Sequence, residues 1–171
     1  MKIEAIPFED LSTPVLIEVL SWRNHPEIRK WMYTSEEITR EDHLRYVKSL
    51  PDRNDCKYWL IKQDGVEIGV CSLTRINTTH RYSLGGLYAK PEGAPKGSGY
   101  RVLKELCKLA FHQLDLNLIR LEALESNLKA REFYERFGFH QEGILRDFVL
   151  RENQFESVVS YSLRKSEYED L

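Results

Sequence analysis

The stretch Gly93-Ala94-Pro95-Lys96-Gly97-Ser98-Gly99 separates a predicted strand at residues 82–90 from a predicted helix. Apolar residues that recur with a period of about 3.6 indicate this helix: Val102, Leu103, Leu106, Leu109, Ala110 and Leu114. A glycine-rich loop between a strand and a helix presents backbone N–H groups at the positive end of the helix, which suits a phosphate or pyrophosphate. Lys96 adds a cation. A plain surface loop, whose glycines serve only its turns, explains the spacing equally well.

The loop matches neither of two well-known phosphate-binding patterns. Gly97-Ser98-Gly99 lacks the third glycine of the dinucleotide pattern, and no Gly-Lys-Ser/Thr run follows it, as a P-loop requires. The sequence therefore disfavours a dehydrogenase or a kinase.

Seven strands are predicted, and two pairs of them form hairpins. The Asp64-Gly65 pair accepts the positive φ values of a tight type I′ turn, and Glu152-Asn153 marks a second hairpin. The strands are predicted at residues 2–6, 57–62, 66–76, 82–90 and 118–124, and in the two arms of residues 144–163.

Four helices are predicted between these strands. The first opens with Thr13 as N-cap and Pro14 at its first position, and the second begins at Thr39. The third follows the glycine-rich loop, and the fourth runs from Asn127 to Arg136 and is closed by Gly138. Strands and helices in this order predict a mixed α/β (α+β) fold around one twisted sheet of about seven strands, flanked by about four helices.

Length and composition limit the kinds of protein that this chain can be. Its 171 residues, 42% of them hydrophobic, predict one domain, residues 1–171, that needs no disulfide or structural metal. The 25 Lys and Arg against 27 Asp and Glu give a net charge of -2, which disfavours sequence-independent nucleic-acid binding. Cys56, Cys71 and Cys107 contain no C-x-x-C pair, so we expect reduced thiols and a cytoplasmic protein without a thiolate metal site. No apolar run approaches about 18 residues, so we expect no membrane span.

Residues 125–139, ESNLKAREFYERFGF, carry the most specific pattern in the chain. A strand that ends near Asn127, Ala130 three residues further on, Phe133-Tyr134 and a closing Gly-Phe pair resemble the acetyl-CoA-binding half of the GNAT acetyltransferases. The glycine-rich loop lies one strand and one helix earlier, at the spacing of that family. The resemblance therefore spans nearly the whole chain.

The resemblance implies a binding site for acetyl-CoA. The loop would grip the pyrophosphate, Asn127 would bond to the pantetheine arm, and Tyr134 would face the thioester sulfur. The implied cofactor-binding residues are Lys96, Gly97, Ser98, Gly99, Asn127, Ala130 and Phe133. Ala94 stands where the family has Gln or Arg, so the backbone and Lys96 must contribute more of the phosphate binding.

Two side chains fit the proton transfers of an acetyl transfer. A Tyr134 phenol with an ordinary pKa of about 10 can donate a proton to a departing thiolate. Glu122 lies in a predicted strand opposite the apolar face, where it can take a proton from an attacking ammonium, directly or through water. The alternatives are that Tyr134 is a core aromatic and that Glu122 is an exposed cross-strand partner of a basic residue.

An acetyl transfer by direct amine attack also needs an N–H donor for the developing oxyanion. We expect this donor in the backbone near Leu87 and Tyr88, where Gly85-Gly86 permits a bulge. None of the three cysteines lies in the loop-and-helix pattern, so we expect no cysteine nucleophile.

The N-terminal third bears on the acceptor. It resembles the GNAT branch that acetylates the 4-amino group of a UDP-linked altrosamine in pseudaminic acid synthesis. The resemblance implies that Arg23, His43, Thr74 and Arg75 surround the nucleotide sugar and that Ser72 and Glu122 lie at the amine. Arg75 stands where the branch has Lys, which keeps the charge but changes the geometry. The alternatives are that Arg23 only stabilises the C-terminal end of its helix through the helix macrodipole and that His43 only lies on a helix surface.

These observations predict an acetyl-CoA-dependent N-acetyltransferase with a small-molecule amine acceptor, a nucleotide aminosugar, and without nucleic-acid or membrane partners. A homodimer is left open. One alternative is a ribosomal-protein or polyamine acetyltransferase of the same fold, in which Glu36-Glu37 and Glu41-Asp42 would supply carboxylates for a polyamine. Another is a non-catalytic acetyl-CoA-binding module.

Overall fold

A computed structural model describes residues 1–169, so the last two residues of the predicted domain lie outside the described residues. Its strands are β1 (Ile3–Pro7), β2 (Cys56–Gln63), β3 (Val66–Asn77), β4 (Tyr82–Ala89), β5 (Leu118–Leu124), β6 (His140–Arg151) and β7 (Gln154–Arg164). They form one sheet in the order β1-β2-β3-β4-β5-β7-β6. Only the pairing of β4 with β5 is parallel among these described neighbours, so the sheet is mixed, as predicted.

Six helices flank the sheet in the described part of the chain. They are α1 (Thr13–Asn24), α2 (Pro26–Arg29), α3 (Arg40–Ser49), α4 (Ser98–Lys108), α5 (Leu128–Phe137) and α6 (Lys165–Glu169). The prediction of about four lacked α2 and α6, because an element of four or five residues is too short to show a helical period. No helix within residues 1–169 has the length and apolar character needed to cross a membrane.

The predicted hairpin turn and one of two predicted helix N-caps are confirmed. Asp64 and Gly65 adopt φ values of 49° and 84°, as the type I′ turn requires. The Thr39 side chain accepts a hydrogen bond from the Asp42 N–H and caps α3, as predicted. The N-cap of α1 is Ser12, however, and Thr13 is the first residue of the helix. The prediction of Thr13 as N-cap was therefore wrong by one residue.

Helices cover the two faces of the sheet separately. On one face, Leu106 of α4 packs against Leu121 of β5 in the larger buried cluster. On the other face, Val19 of α1 and Val47 of α3 pack with Val70 of β3 in a second cluster. The sheet therefore separates a layer built on α4 and α5 from a layer built on α1 and α3.

The sheet opens between β4 and β5. These parallel strands pair only at Tyr82–Leu118, Ser83–Ile119 and Leu84–Arg120 and then diverge. The predicted bulge at Gly85-Gly86 is wrong, because both glycines pair in regular register with β3. A Cβ at Gly85 would lie 2.9 Å from a Leu121 methyl carbon and 3.1 Å from one of Leu106, so close helix packing requires this glycine. The irregularity lies instead between Thr74 and Asn77 of β3.

Candidate active site

The gap between β4 and β5 forms a cavity of about 250 Å³, called the slot below. One wall is the β4 backbone from Gly85 to Ala89, and the opposite wall carries Glu122, Asn127 and Tyr134. Ile28 and Trp31, from α2 and the turn after it, line the slot from the side of the second helical layer. The slot therefore connects the two faces of the sheet.

The β4 backbone directs alternate N–H groups into this gap. The Lys90 N–H donates to the Ile68 carbonyl of β3 at 3.0 Å. Since alternate residues of a strand direct their N–H groups to the same side, the Tyr88 N–H also points to β3 and that of Leu87 points away from it. Of the two predicted donor positions, the geometry selects Leu87. The Tyr88 side chain lines a neighbouring cavity.

Tyr134 lies on α5 and lines the slot with 9% of its surface exposed. Burial, helped by the nearby Tyr161, raises its pKa to about 12. The phenol therefore stays protonated at neutral pH, but it is a weaker acid than the sequence led us to expect. Ala130 also lines the slot, whereas Phe133 packs against the core cluster beneath it.

The Glu122 carboxylate is held by two neighbours. Its side chain is only 7% exposed and lies on the sheet face opposite the buried Leu121, as the strand alternation predicted. Arg120 Nη2 donates to Glu122 Oε1 at 3.0 Å, and the Tyr33 hydroxyl donates to Oε2. Burial and this hydrogen bond raise the pKa of Tyr33. Sequence reasoning gave Tyr33 no part at this carboxylate, because it lies in an irregular segment that no periodicity places.

Asn127 closes the slot at the start of α5. Its Oδ1 accepts a hydrogen bond from the Ala130 N–H at 3.2 Å and so caps the helix. Its Nδ2 is left to donate to a group in the slot.

The glycine-rich loop leads into α4, outside the slot. Gly97 adopts a φ of 84° and precedes the first helical residue, so the free N–H groups of the first turn follow directly. The Ser98 hydroxyl donates its hydrogen to the Pro95 carbonyl at 2.6 Å, which leaves the backbone N–H as the donor of this residue. Arg101 donates to the Lys96 carbonyl at 2.8 Å and adds a cation beside Lys96 that the sequence reasoning missed. Its place in the first turn of the helix was the available signal.

A second cavity of about 600 Å³, called the acceptor pocket below, lies on the face covered by α1 and α3. Four aromatic rings line it: Phe8, Tyr46, Tyr58 and Tyr88. Met32, Gly86, Leu87 and Tyr88 line both the pocket and the slot. The two cavities therefore adjoin at the exposed backbone of β4.

Three of the predicted acceptor residues meet in this pocket. Arg23, His43 and Ser72 all line it. Burial lowers the pKa of Arg23, and its Nη1 is buried without a hydrogen-bond partner among residues 1–169. Burial also lowers the pKa of His43, although a hydrogen bond to the Leu16 carbonyl opposes this, and its Nε2 likewise finds no partner in the described chain. The pocket thus presents an unpaired cation and a neutral imidazole.

Thr74 and Arg75 lie outside both cavities, contrary to their expected place around a nucleotide sugar. The Thr74 hydroxyl donates to the Leu84 carbonyl at 3.2 Å. Arg75 is exposed and has a φ of 50° within the irregularity of β3. The sequence did not reveal this backbone irregularity.

Comparisons with known proteins agree with this geometry. A model of the acetyltransferase (GNAT) family matches residues 19–139. Acetyltransferase PseH of Campylobacter jejuni subsp. jejuni serotype O:23/36 (strain 81-176) is 36% identical over 132 residues, which cover 77% of this chain and 81% of that protein.

Two solved structures have the same fold. That of Campylobacter jejuni N-acetyltransferase PseH in complex with acetyl coenzyme A has a TM-score of 0.71 at 28% identity and covers 95% of this chain and 99% of that one. That of spermidine N-acetyltransferase from Vibrio cholerae in complex with CoA and spermine has a TM-score of 0.85 at 22% identity, with coverage of 98% and 97%. This chain belongs to the acetyltransferase (GNAT) family and is an acetyl-CoA-dependent N-acetyltransferase.

Proposed function

We propose that the acceptor is a nucleotide-linked aminosugar, specifically the 4-amino group of a UDP-linked altrosamine of pseudaminic acid synthesis. The observation that carries this proposal is the half-buried guanidinium of Arg23, which lines the acceptor pocket and whose buried Nη1 has no hydrogen-bond partner within residues 1–169. The identity to PseH proteins supports the same substrate class.

The chemistry of the pocket suits a nucleoside diphosphate. A guanidinium presents a planar fork of donors that pairs with phosphate oxygens, and an unpaired buried cation gains most from such an anion. Aromatic rings such as those of Tyr46 and Tyr58 offer faces for a nucleobase. The neutral His43 adds a polar group that a hydroxyl or an amide can bond.

A polyamine acceptor fits the pocket less well. Of the four carboxylates considered for it, only Asp42 lines the pocket. Asp42 and Glu41 pair with Arg45 at 2.9 and 2.8 Å, and Glu37 pairs with Arg29 at 2.8 Å. An unpaired Arg23 would repel a polycation. A non-catalytic module is not retained, because the family and the PseH relatives indicate an enzyme.

The side chains of the slot support a direct attack of the amine on the thioester. We propose that the acceptor nitrogen bonds to the carbonyl carbon while the carbon–sulfur bond breaks. Glu122 takes the surplus proton of the amine, directly or through water, and Tyr134 gives a proton to the departing thiolate. The two protons balance when Glu122 returns its proton to solvent and Tyr134 regains one. The Leu87 N–H donates to the oxyanion, and Ser72 helps to hold the amine.

The proposed acceptor is tested by a mass-spectrometric screen with acetyl-CoA. Nucleotide-linked aminosugars, spermidine and peptides that begin with a free amine are offered in parallel. We expect acetylated product from the aminosugar and at most trace product from the other two. Preferential acetylation of spermidine or of a peptide would overturn the proposed acceptor while leaving the N-acetyltransferase assignment intact.

Acetyl-CoA is expected to bind with micromolar affinity or better and so to stabilise the folded protein. The reason is that the loop before α4 would bind its phosphates and Asn127 would bind its pantetheine amides. At a hundredfold excess over its Kd, it should raise the free energy of unfolding by about 2.7 kcal/mol, which is a shift of several degrees in Tm. Thermal denaturation measures this shift. Pantetheine, which lacks the pyrophosphate, is the control and should shift Tm less. No shift at millimolar acetyl-CoA would contradict the placement of this site.

We also propose a cytoplasmic homodimer. The three cysteines are free thiols, as is usual in a reducing compartment. Strand β6 forms one edge of the sheet, and its hairpin exposes large apolar side chains: Ile144, Phe148, Leu150 and Phe155. A second copy would bury them.

A further inference from the structure

Tyr33 links the segment between α2 and α3 to strand β5. It lies 89 residues before Glu122 in the sequence, and its hydroxyl donates to the Glu122 carboxylate. Its ring packs edge-on against Phe148 of β6, with 6.4 Å between the ring centroids. Tyr33 therefore contacts two strands, β5 through its hydroxyl and β6 through its ring.

The segment that carries Tyr33 is fixed at both ends. The Asn24 side chain accepts from the Ile38 N–H and donates to the Ile38 carbonyl, each at 2.9 Å. Arg151 of β6 donates to the Lys30 carbonyl at 2.7 Å. Met32, the residue before Tyr33, lines both cavities, and Ile38 lines the acceptor pocket. A segment held in this way can present a hydroxyl at a fixed position.

The charged and titratable groups around Glu122 come from several elements. Arg120 lies beside it on β5, and Tyr33 reaches it from the segment after α2. Arg75 of β3 acts electrostatically on Tyr33, while Glu27 of α2 and Tyr134 of α5 line the same slot. Arg120 and Tyr33 occupy different oxygens of the carboxylate, so together they fix its orientation.

We propose that Tyr33 is a positioning residue that holds the Glu122 carboxylate in one orientation and aims it at the acceptor amine. This inference rests on the proposed role of Glu122 as proton acceptor. A hydrogen bond to the carboxylate fixes a side chain that otherwise samples several rotamers. Tyr33 acts through Glu122 and need not touch the reacting atoms.

The test compares Tyr33→Phe, Glu122→Gln and the double variant. Tyr33→Phe should lower kcat about tenfold, since a hydrogen bond to a charged group contributes at about this level. The KM for the acceptor should change little, because Tyr33 acts on the orientation of the Glu122 carboxylate and not on substrate binding. In the Glu122→Gln background the same substitution should have little further effect. Tyr168→Phe, which removes a hydroxyl beside Phe111 and His112, is the matched control.

Each outcome separates the two proposals. A Glu122→Gln variant with full turnover would overturn both the proton-acceptor role and the positioning role. If the Glu122→Gln variant turns over slowly but the Tyr33→Phe variant keeps the full kcat, the positioning role alone is overturned. Independent, multiplicative effects of the two substitutions would also overturn the positioning role, as would a loss that appears in KM and not in kcat. The acetyl-CoA-dependent shift in Tm, measured for every variant, shows that the cofactor site is intact.

Discussion

Tyr134→Phe is expected to lower turnover about a hundredfold while leaving acetyl-CoA binding nearly intact, since general acid catalysis typically contributes about 10²- to 10⁴-fold. Phenylalanine keeps the ring that packs near Phe139 and Tyr161 and removes only the hydroxyl. Steady-state turnover and Tm with and without acetyl-CoA check this expectation.

The raised pKa of Tyr134, about 12, does not disqualify the phenol as the donor. Burial raises the pKa of any acid whose charged form is an anion, and a thiol leaving group in the same slot is affected in the same direction. Desolvation therefore makes the phenol a weaker proton donor and the departing thiolate a stronger base. A further consequence is that Tyr134 stays protonated up to about pH 10, so its ionisation should produce no loss of activity in that range.

Tyr161→Phe is the matched control for this experiment. Tyr161 is fully buried beside Tyr134, but its hydroxyl donates to Glu135 at 3.1 Å and accepts from Arg131 at 3.3 Å. Its loss should cost about 1 kcal/mol of stability and leave turnover nearly unchanged. If Tyr134→Phe instead behaves like this control, Tyr134 is a core aromatic and water is the proton donor.

Arg23→Ala is expected to weaken the binding of a nucleotide-linked aminosugar by about 2 kcal/mol, close to thirtyfold, since a charge-assisted contact is lost. Acetyl-CoA binding should not change, because Arg23 lines the acceptor pocket and not the slot. The KM for the aminosugar and the acetyl-CoA-dependent shift in Tm measure the two effects separately.

The stability of Arg23→Ala distinguishes a binding role from a structural one. The guanidinium is partly desolvated and its Nη1 lacks a partner in the described chain, so its removal relieves an electrostatic cost. We therefore expect a Tm no lower than that of the wild type. Arg23→Lys should recover binding in part, because lysine restores the positive charge but not the planar pair of N–H donors of the guanidinium.

Arg29→Ala is the control substitution for Arg23. Arg29 lies nearby on α2, where it pairs with Glu37. It lies outside the acceptor pocket and should leave aminosugar binding nearly unchanged. A variant of Arg23 that weakens acetyl-CoA binding, or that only lowers Tm, would remove the main support for the nucleotide-sugar acceptor.

Local sequence patterns were sufficient for most of the fold. The 3.6-residue period of α4, the alternation of β5 and the Asp64-Gly65 turn depend on neighbours within a few residues, so each was predicted. The predicted period, however, runs through Leu114, past the end of α4 at Lys108 and through a π-helical turn over Leu109–Gln113. The family pattern around Asn127 and Tyr134 works in the same way, because both residues belong to one helix and its cap.

Long-range contacts were not encoded in any local pattern. The sequence placed Arg23, His43 and Ser72 near the acceptor only by resemblance, and it placed Arg75 there as well. The structure brings the first three into one pocket. Arg75 lies outside this pocket, within an irregular pairing of β3 with β4 that depends on both strands.

The sequence by itself determined the fold class, the family and the helix that carries Tyr134. Only the tertiary structure decided which N–H groups of β4 face the slot, that Tyr33 bonds to Glu122, and that the buried Nη1 of Arg23 has no partner among residues 1–169. The physical reason is that periodicity and capping arise from interactions between residues close in the chain. Burial, desolvation and the divergence of β4 from β5 arise only when distant segments pack together.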